Sequence, residues 1–282
     1  MVPEQPRRGA AGGAGVKRVG IVGANGFVGS AFRRLLERAP DVALTPITRE
    51  NRAAHHGQAF DVVIDASGNA RRFFAEEHPV EEFDASVYQP LRTVHEYPAT
   101  LHVHISSVDV YADLRSPATT CEDTVIDVGA QSHYGFHKLL AEQVARHYAK
   151  RWLVVRLAGM VGPGLRKNPV YDLLHGAPLR IHPDSQYQFM HTDVVARAVW
   201  DLVARGIEQR TLNVCGDGLV SPRQIAAWAG VSPDVSLLPP DAAPRVVHAS
   251  VEQWRAFGPV PGSAETIRAF VAEHMAAATA AT

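Results

Sequence analysis

The sequence predicts an α/β fold: a doubly wound parallel sheet with a small C-terminal substrate-binding lobe. Three observations carry this. The stretch KRVGIVGANGFVGSAFRRLLERA reads as a buried strand, a glycine-rich turn and an amphipathic helix. Further strand candidates recur at VALTPIT, DVVIDAS, LHVHISS and WLVVRLAG, with helical patterns between several of them. Strands alternating with helices imply parallel pairing with both sheet faces covered. After GMVGPG the alternation loosens into a segment rich in loops, Pro, Gly and His, as expected where the chain leaves the sheet.

Taken in order, residues 1–15 are expected to be a disordered tail, because their arginines are followed by no apolar core of signal-peptide length. Residues 16–160 form the dinucleotide-binding domain, to which 187–215 return, and 161–186 with 216–282 build the lobe. DVVARAVWDLVARG is a helix with Asp193 as an N-terminal anion and Gly206 as its stop. TLNVCG is a further strand candidate, SPRQIAAWAG opens a helix with Ser-Pro, and SAETIRAFVAEHMAAA is a final helix.

The 282 residues have an ordinary hydrophobic share of 46%, and the net charge of -1 gives no electrostatic reason to expect nucleic acid or an anionic membrane as partner. No apolar run approaches bilayer length. Cys121 and Cys215 lie far apart without metal-type spacing, which fits a reducing compartment, so cytoplasm is the expected location.

Gly23, Gly26 and Gly29 follow a strand and open a helix, the setting of a dinucleotide site in a Rossmann fold. The first two suit a tight turn that a phosphate approaches, and the third lets helix and strand pack closely. At the end of the second strand, in ITREN, Arg49 suits the 2′-phosphate of NADP, while Glu50 beside it would suit the ribose of NAD. LHVHISSVDVY brings Ser106 and Ser107 to a strand's carboxyl end. Tyr134 and Lys138, four apart, share a helix face, where the ammonium is expected to lower the phenol's pKa.

With these segments in place, the chain resembles the extended short-chain dehydrogenases/reductases of the NAD-dependent epimerase/dehydratase type. The glycine turn, SSVDVY, YGFHK, VVRLAGMVGPG, FMHTDVVARAV and LNVCGDGLVSPRQIA occur in that family's order, from about Lys17 to about Phe270. The resemblance implies that Tyr134 is the catalytic acid/base, Lys138 its partner on the nicotinamide ribose, and Ser107 the hydroxyl that polarises the substrate carbonyl, with Ser106 in reserve. Expected dinucleotide contacts are Gly23, Asn25, Gly26, Phe27, Val28, Arg49, Ala66, Ser67, Tyr134 and Lys138. Expected substrate contacts are Ser107, Asp109, Gly159, Arg180 and Gln188. NADP is the expected cofactor, with NAD the alternative, and no metal is expected. A homodimer is expected through the helix bearing Tyr134, using Leu139, Leu140 and Val144.

Departures from the family pattern narrow the reaction. Val108 and Asp109 stand where sugar-nucleotide dehydratases carry Asp and Glu, which argues against dehydration. IDASGNARRF replaces a more usual HLAA, and Asp65 and Asn69 in it either take an unfamiliar role at the dinucleotide or cap the loop. Gln188 stands where an arginine commonly grips a nucleotide diphosphate, so Arg166, Lys167 or Arg180 is expected to substitute. His102 and His104 share one strand face but lack a third convergent metal ligand. The run EEHPVEEFD reads as a solvated surface. The first reading is a reductase acting on a keto group, with C4 of a 4-keto-6-deoxy nucleotide sugar as the expected position. The alternatives are a nucleotide-sugar epimerase with tightly bound NAD and a non-catalytic dinucleotide-binding protein.

Overall fold

The computed structural model describes residues 16–280, and the tail expected over residues 1–15 lies outside them. The first half runs β1 (Lys17–Val22), α1 (Gly29–Leu36), β2 (Val42–Ile47), β3 (Phe60–Asp65), α2 (Arg72–Glu77), α3 (Pro79–Phe83), α4 (Gln89–Glu96), β4 (Ala99–Ser107), α5 (His133–Tyr148) and β5 (Trp152–Leu157). It continues through β6 (Gly159–Val161), α6 (Pro169–Leu174), β7 (Gln186–Tyr187), β8 (Phe189–His191), α7 (Thr192–Ala204) and β9 (Arg210–Asn213). The last elements are α8 (Pro222–Ala229), β10 (Val246–Val247), α9 (Glu252–Arg255) and α10 (Ser263–Ala280).

Six strands form one parallel sheet in the order β2-β1-β3-β4-β5-β9. The order reverses beside β1, which pairs with β2 on one side and β3 on the other, so a crevice opens outside their carboxyl ends. The strands read as unbroken apolar runs because both faces are covered. On one face Val19, Ile21, Phe32, Val103, Val155, Val199 and Leu212 share a core with α1 and α7, and on the other Ile47, Phe60, Val63 and Tyr97 form a smaller one. Between β3 and β4 the chain is almost continuously helical, with a π-helical turn at Asp84–Tyr88 joining α3 to α4.

Helix α5 is held to the sheet by charge as much as by apolar contact. Glu142, fully buried, receives hydrogen bonds from Ser106 Oγ at 2.6 Å, from Arg156 Nε and Nη2 at 2.9 and 2.7 Å, and from Arg146 at 3.0 Å. Arg156 also donates to the Tyr111 hydroxyl, which donates in turn to Asn213 on β9. Burial alone would raise the Glu142 carboxyl, but these partners hold it below the usual carboxylate range.

The lobe has its own core of Val161, Val170, Leu179, Phe189, Ile225, Ile267 and others. Its helix α8 starts as expected, with a capping box between Ser221 and Gln224, and ends at Gly230 in the left-handed region. Residues 216–282 were expected to belong wholly to the lobe, yet Trp254 on α9 joins the core of the first domain, with Phe257 and Val260 packed against it. No helix among the described residues is long and apolar enough to cross a membrane.

Replacing Glu142 by Gln leaves Arg156 buried without its counter-charge. We expect a loss of about 3–5 kcal/mol in chemical denaturation; a loss below about 1 kcal/mol would remove this contact as the anchor of α5.

Candidate active site

The glycine turn is built as its spacing predicts. Gly23 has φ +79° and lies so close to the next strand that a Cβ would sit 2.8 Å from the Ala66 carbonyl. A Cβ on Gly29 would come within 2.1 Å of the Gly23 carbonyl, which is the close helix-to-strand approach expected of the third glycine. No side chain caps α1. Gly23, Asn25, Gly26, Arg49, Ala66 and Ser67 line a cavity of about 770 Å³ at the reversal of the sheet. Phe27 and Val28 do not line it; Val28 packs against the core instead.

At one end of this cavity stand Thr48, Arg49, Glu50 and Arg52. The Glu50 carboxylate is engaged by the Thr48 hydroxyl, which lowers its pKa. Arg52 is held by Glu96 and Gln89 at 2.8 and 2.9 Å, and its Nη2 is buried without a partner. At the other end Lys167 reaches across from the lobe and donates to the Ala70 carbonyl. Partial desolvation of its ammonium, with Arg71 and Lys138 nearby, brings its pKa down to about 8. The groups present fit a dinucleotide: close-approach glycines for a pyrophosphate and cations at both ends for phosphate.

The second group lies at the carboxyl end of β4. Ser132 caps α5 by accepting from Gly135 N–H, and a Cβ on Gly135 would fall 2.1 Å from the Asp109 carbonyl. That contact seats Tyr134 beside Ser107, whose hydroxyl is near enough to favour the phenolate. Lys138 Nζ lies 5.6 Å from the Tyr134 ring centroid and 3.2 Å from where a Cβ of Gly68 would be, so it spans from the phenol to the cavity-lining loop. Ser106, the reserve candidate, points into the core and donates to Glu142.

The electrostatics differ from expectation. The Tyr134 phenol is not lowered but pushed well above its ordinary value, chiefly by burial and then by Asp109 and Glu82. Burial lowers the Lys138 ammonium, although Glu82, Asp65, Asp109 and Glu142 all favour its charge.

Several expected contacts resolve differently. Gln188 does not reach the site: it is fully buried, and its amide donates to the Ala249 carbonyl at 3.0 Å and accepts from Ala249 N–H at 2.7 Å. Gly159 pairs with Phe189, and a Cβ there would meet the Gln188 carbonyl at 2.7 Å, so its smallness serves strand packing. Arg180 is exposed and its charge acts on Asp172 of the lobe, while Arg166 is exposed. The cations that meet the strand end are instead Arg72 and Arg245, both on Asp109. Asp65 and Asn69 act as loop caps: Asp65 accepts from Ser67 N–H, and Asn69 exchanges two hydrogen bonds with the Arg71 backbone.

The acidic run is not wholly a solvated surface. Glu82 is fully buried and bonded to His137 on α5 and to Ser86, whose hydroxyl also accepts from Asn69 N–H. His133 sits outside, 3.2 Å from Glu76. Leu139, named for dimer contact, is buried in the chain's own core, and Leu140 and Val144 are half-buried.

The model of the NAD dependent epimerase/dehydratase family matches residues 59–215, more than half of the chain. No curated protein matches. Among solved structures, RMD from Pseudomonas aeruginosa complexed with NADPH is 20% identical with a TM-score of 0.75, covering 92% of this chain and 98% of that one. UDP-glucuronic acid 4-epimerase from Bacillus cereus, in complex with UDP-glucuronic acid and NAD, is 16% identical with a TM-score of 0.76, covering 92% and 99%. A dTDP-4-dehydrorhamnose reductase from Clostridium acetobutylicum is 18% identical with a TM-score of 0.74, covering 90% and 98%. At such identities these structures share the fold.

Lys167 is charged below its pKa of about 8 and neutral above it. Dinucleotide affinity in a fluorescence titration is therefore expected to fall as pH rises through about 8, and this dependence to vanish in Lys167→Met. Equal pH dependence in the variant would take Lys167 out of the cofactor site.

Proposed function

The chain belongs to the NAD dependent epimerase/dehydratase family, and from that premise we propose that it is an NADPH-dependent reductase of a keto group on a nucleotide sugar. The observation that carries the reading is the gathering of Ser107, Tyr134 and Lys138 at the carboxyl end of β4, with Lys138 reaching the loop that lines the glycine-walled cavity; burial, Asp109 and Glu82 favour the protonated phenol there. A protonated phenol is the form that reduction consumes. An enzyme that begins by oxidising a carbinol needs the phenolate.

Bound in the cavity, the dinucleotide would supply a hydride to the carbonyl carbon. Ser107 donates to the carbonyl oxygen and fixes its position, and Tyr134 delivers the proton as negative charge develops there. Lys138 stabilises the phenolate that remains. Elimination is disfavoured because Val108 is turned into the core, 2% exposed, leaving Asp109 as the single acid of the strand end. The choice of NADPH rests on Arg49, exposed on the lining of the cavity where a 2′-phosphate would meet its guanidinium.

Tyr134→Phe is expected to lower turnover by about 10²–10⁴-fold while NADPH binding is nearly unchanged. Full activity in the variant would overturn the mechanism. Arg49→Ala is expected to weaken NADPH about tenfold and leave NADH unaffected. Protein that purifies with bound NAD and turns over without added dinucleotide would favour the epimerase.

A further inference from the structure

Beside the Ser107 and Tyr134 pair lies an ionic cluster that the proton and hydride steps do not use. Arg245 Nη2 donates to Asp109 Oδ1 at 2.8 Å, and Arg72 Nη1 lies 3.4 Å from the same oxygen. The other oxygen, Oδ2, accepts from Ser107 Oγ at 3.3 Å. Arg72 opens α2 on the dinucleotide-binding domain, whereas Arg245 precedes β10 in the lobe. Two guanidiniums thus share one carboxylate oxygen. Each has a planar fork made for two parallel bonds, and Arg72 Nε is buried with no partner. A half-buried positive charge that its own chain only partly answers is a demand for an anion.

We propose that Arg72 and Arg245 form a clamp, reaching from both lobes, for a carboxylate borne by the sugar of the substrate, and that Asp109 occupies this clamp in the substrate-free protein. The proposal rests on the nucleotide-sugar reading above. The location selects the sugar over the diphosphate, because the group that replaces the Asp109 carboxylate must lie within a carboxylate's breadth of Ser107. That is the position of a substituent beside the reacting carbon, so the substrate class is a keto-uronate nucleotide rather than a 6-deoxy sugar.

The test measures binding of UDP-glucuronic acid, UDP-glucose and UDP to NADPH-saturated protein by calorimetry. The wild type is expected to prefer the acid over UDP-glucose by about tenfold or more, and Arg72→Gln and Arg245→Gln to erase that preference. Asp109→Asn is expected to tighten the acid severalfold, but to change nothing when both arginines are already replaced. Equal affinities for acid and neutral sugar overturn the clamp, as does failure of the acid to bind. Equal weakening of UDP and both sugars in the arginine variants also overturns it, by assigning the guanidiniums to the diphosphate. NADPH titration of the same preparations separates these outcomes from failure of the reductase reading, which would show as absent dinucleotide binding.

Discussion

The site depends on one buried ion pair. Glu142 and Arg156 meet in the interior between α5 and β5, and Ser106, in register with Arg156 on the neighbouring strand, completes the carboxylate's shell. A buried ion pair is a poor source of stability compared with apolar packing, but it tolerates only one geometry. Glu142, Lys138 and Tyr134 are spaced by four along α5, so fixing the rotation of the helix at Glu142 fixes the azimuth of the other two. Gly135 then fixes how far the helix start can approach the strand end. Rotation from one contact and approach from the other are enough to put a phenol on a particular hydroxyl.

Around this pair the charges are arranged in opposition. Lys138 is buried among Glu82, Asp65, Asp109 and Glu142, yet its desolvation outweighs them. The phenol feels two of the same carboxylates and is driven toward its neutral form. In the proposed reduction such a phenol would give up its proton only as negative charge appears on the substrate oxygen.

What was legible in the sequence was whatever local periodicity or local backbone need encodes. The six strands, the glycine turn, the Ser-Pro start of α8 and the Tyr134–Lys138 face all follow from spacing within a few residues. Glu82 was misread because an acidic run is solvated on average, and its burial depends on His137, 55 residues away. Gln188 is equally silent: its position in the chain suggests a ligand, whereas its amide is spent on Ala249, 61 residues on. Arg72 and Arg245 lie in segments without a motif, and only folding across 136 residues brings the latter to Asp109. The sign of the Tyr134 shift was missed for a related reason. Helical spacing reveals the neighbouring ammonium, but not the burial and carboxylates that oppose it.

Trp254 gives the architecture a property that a division into two lobes conceals. After building most of the lobe, the chain returns a tryptophan to the core of the first domain and then leaves again to form α10 in the lobe's core. Neither lobe therefore owns a continuous stretch of sequence, and the two cores are stitched by five crossings of the backbone. Cores joined in this way are expected to unfold as a single cooperative body rather than as two, because the C-terminal third supplies Trp254 to the core of the six-stranded sheet and is no appendage that could be trimmed or exchanged.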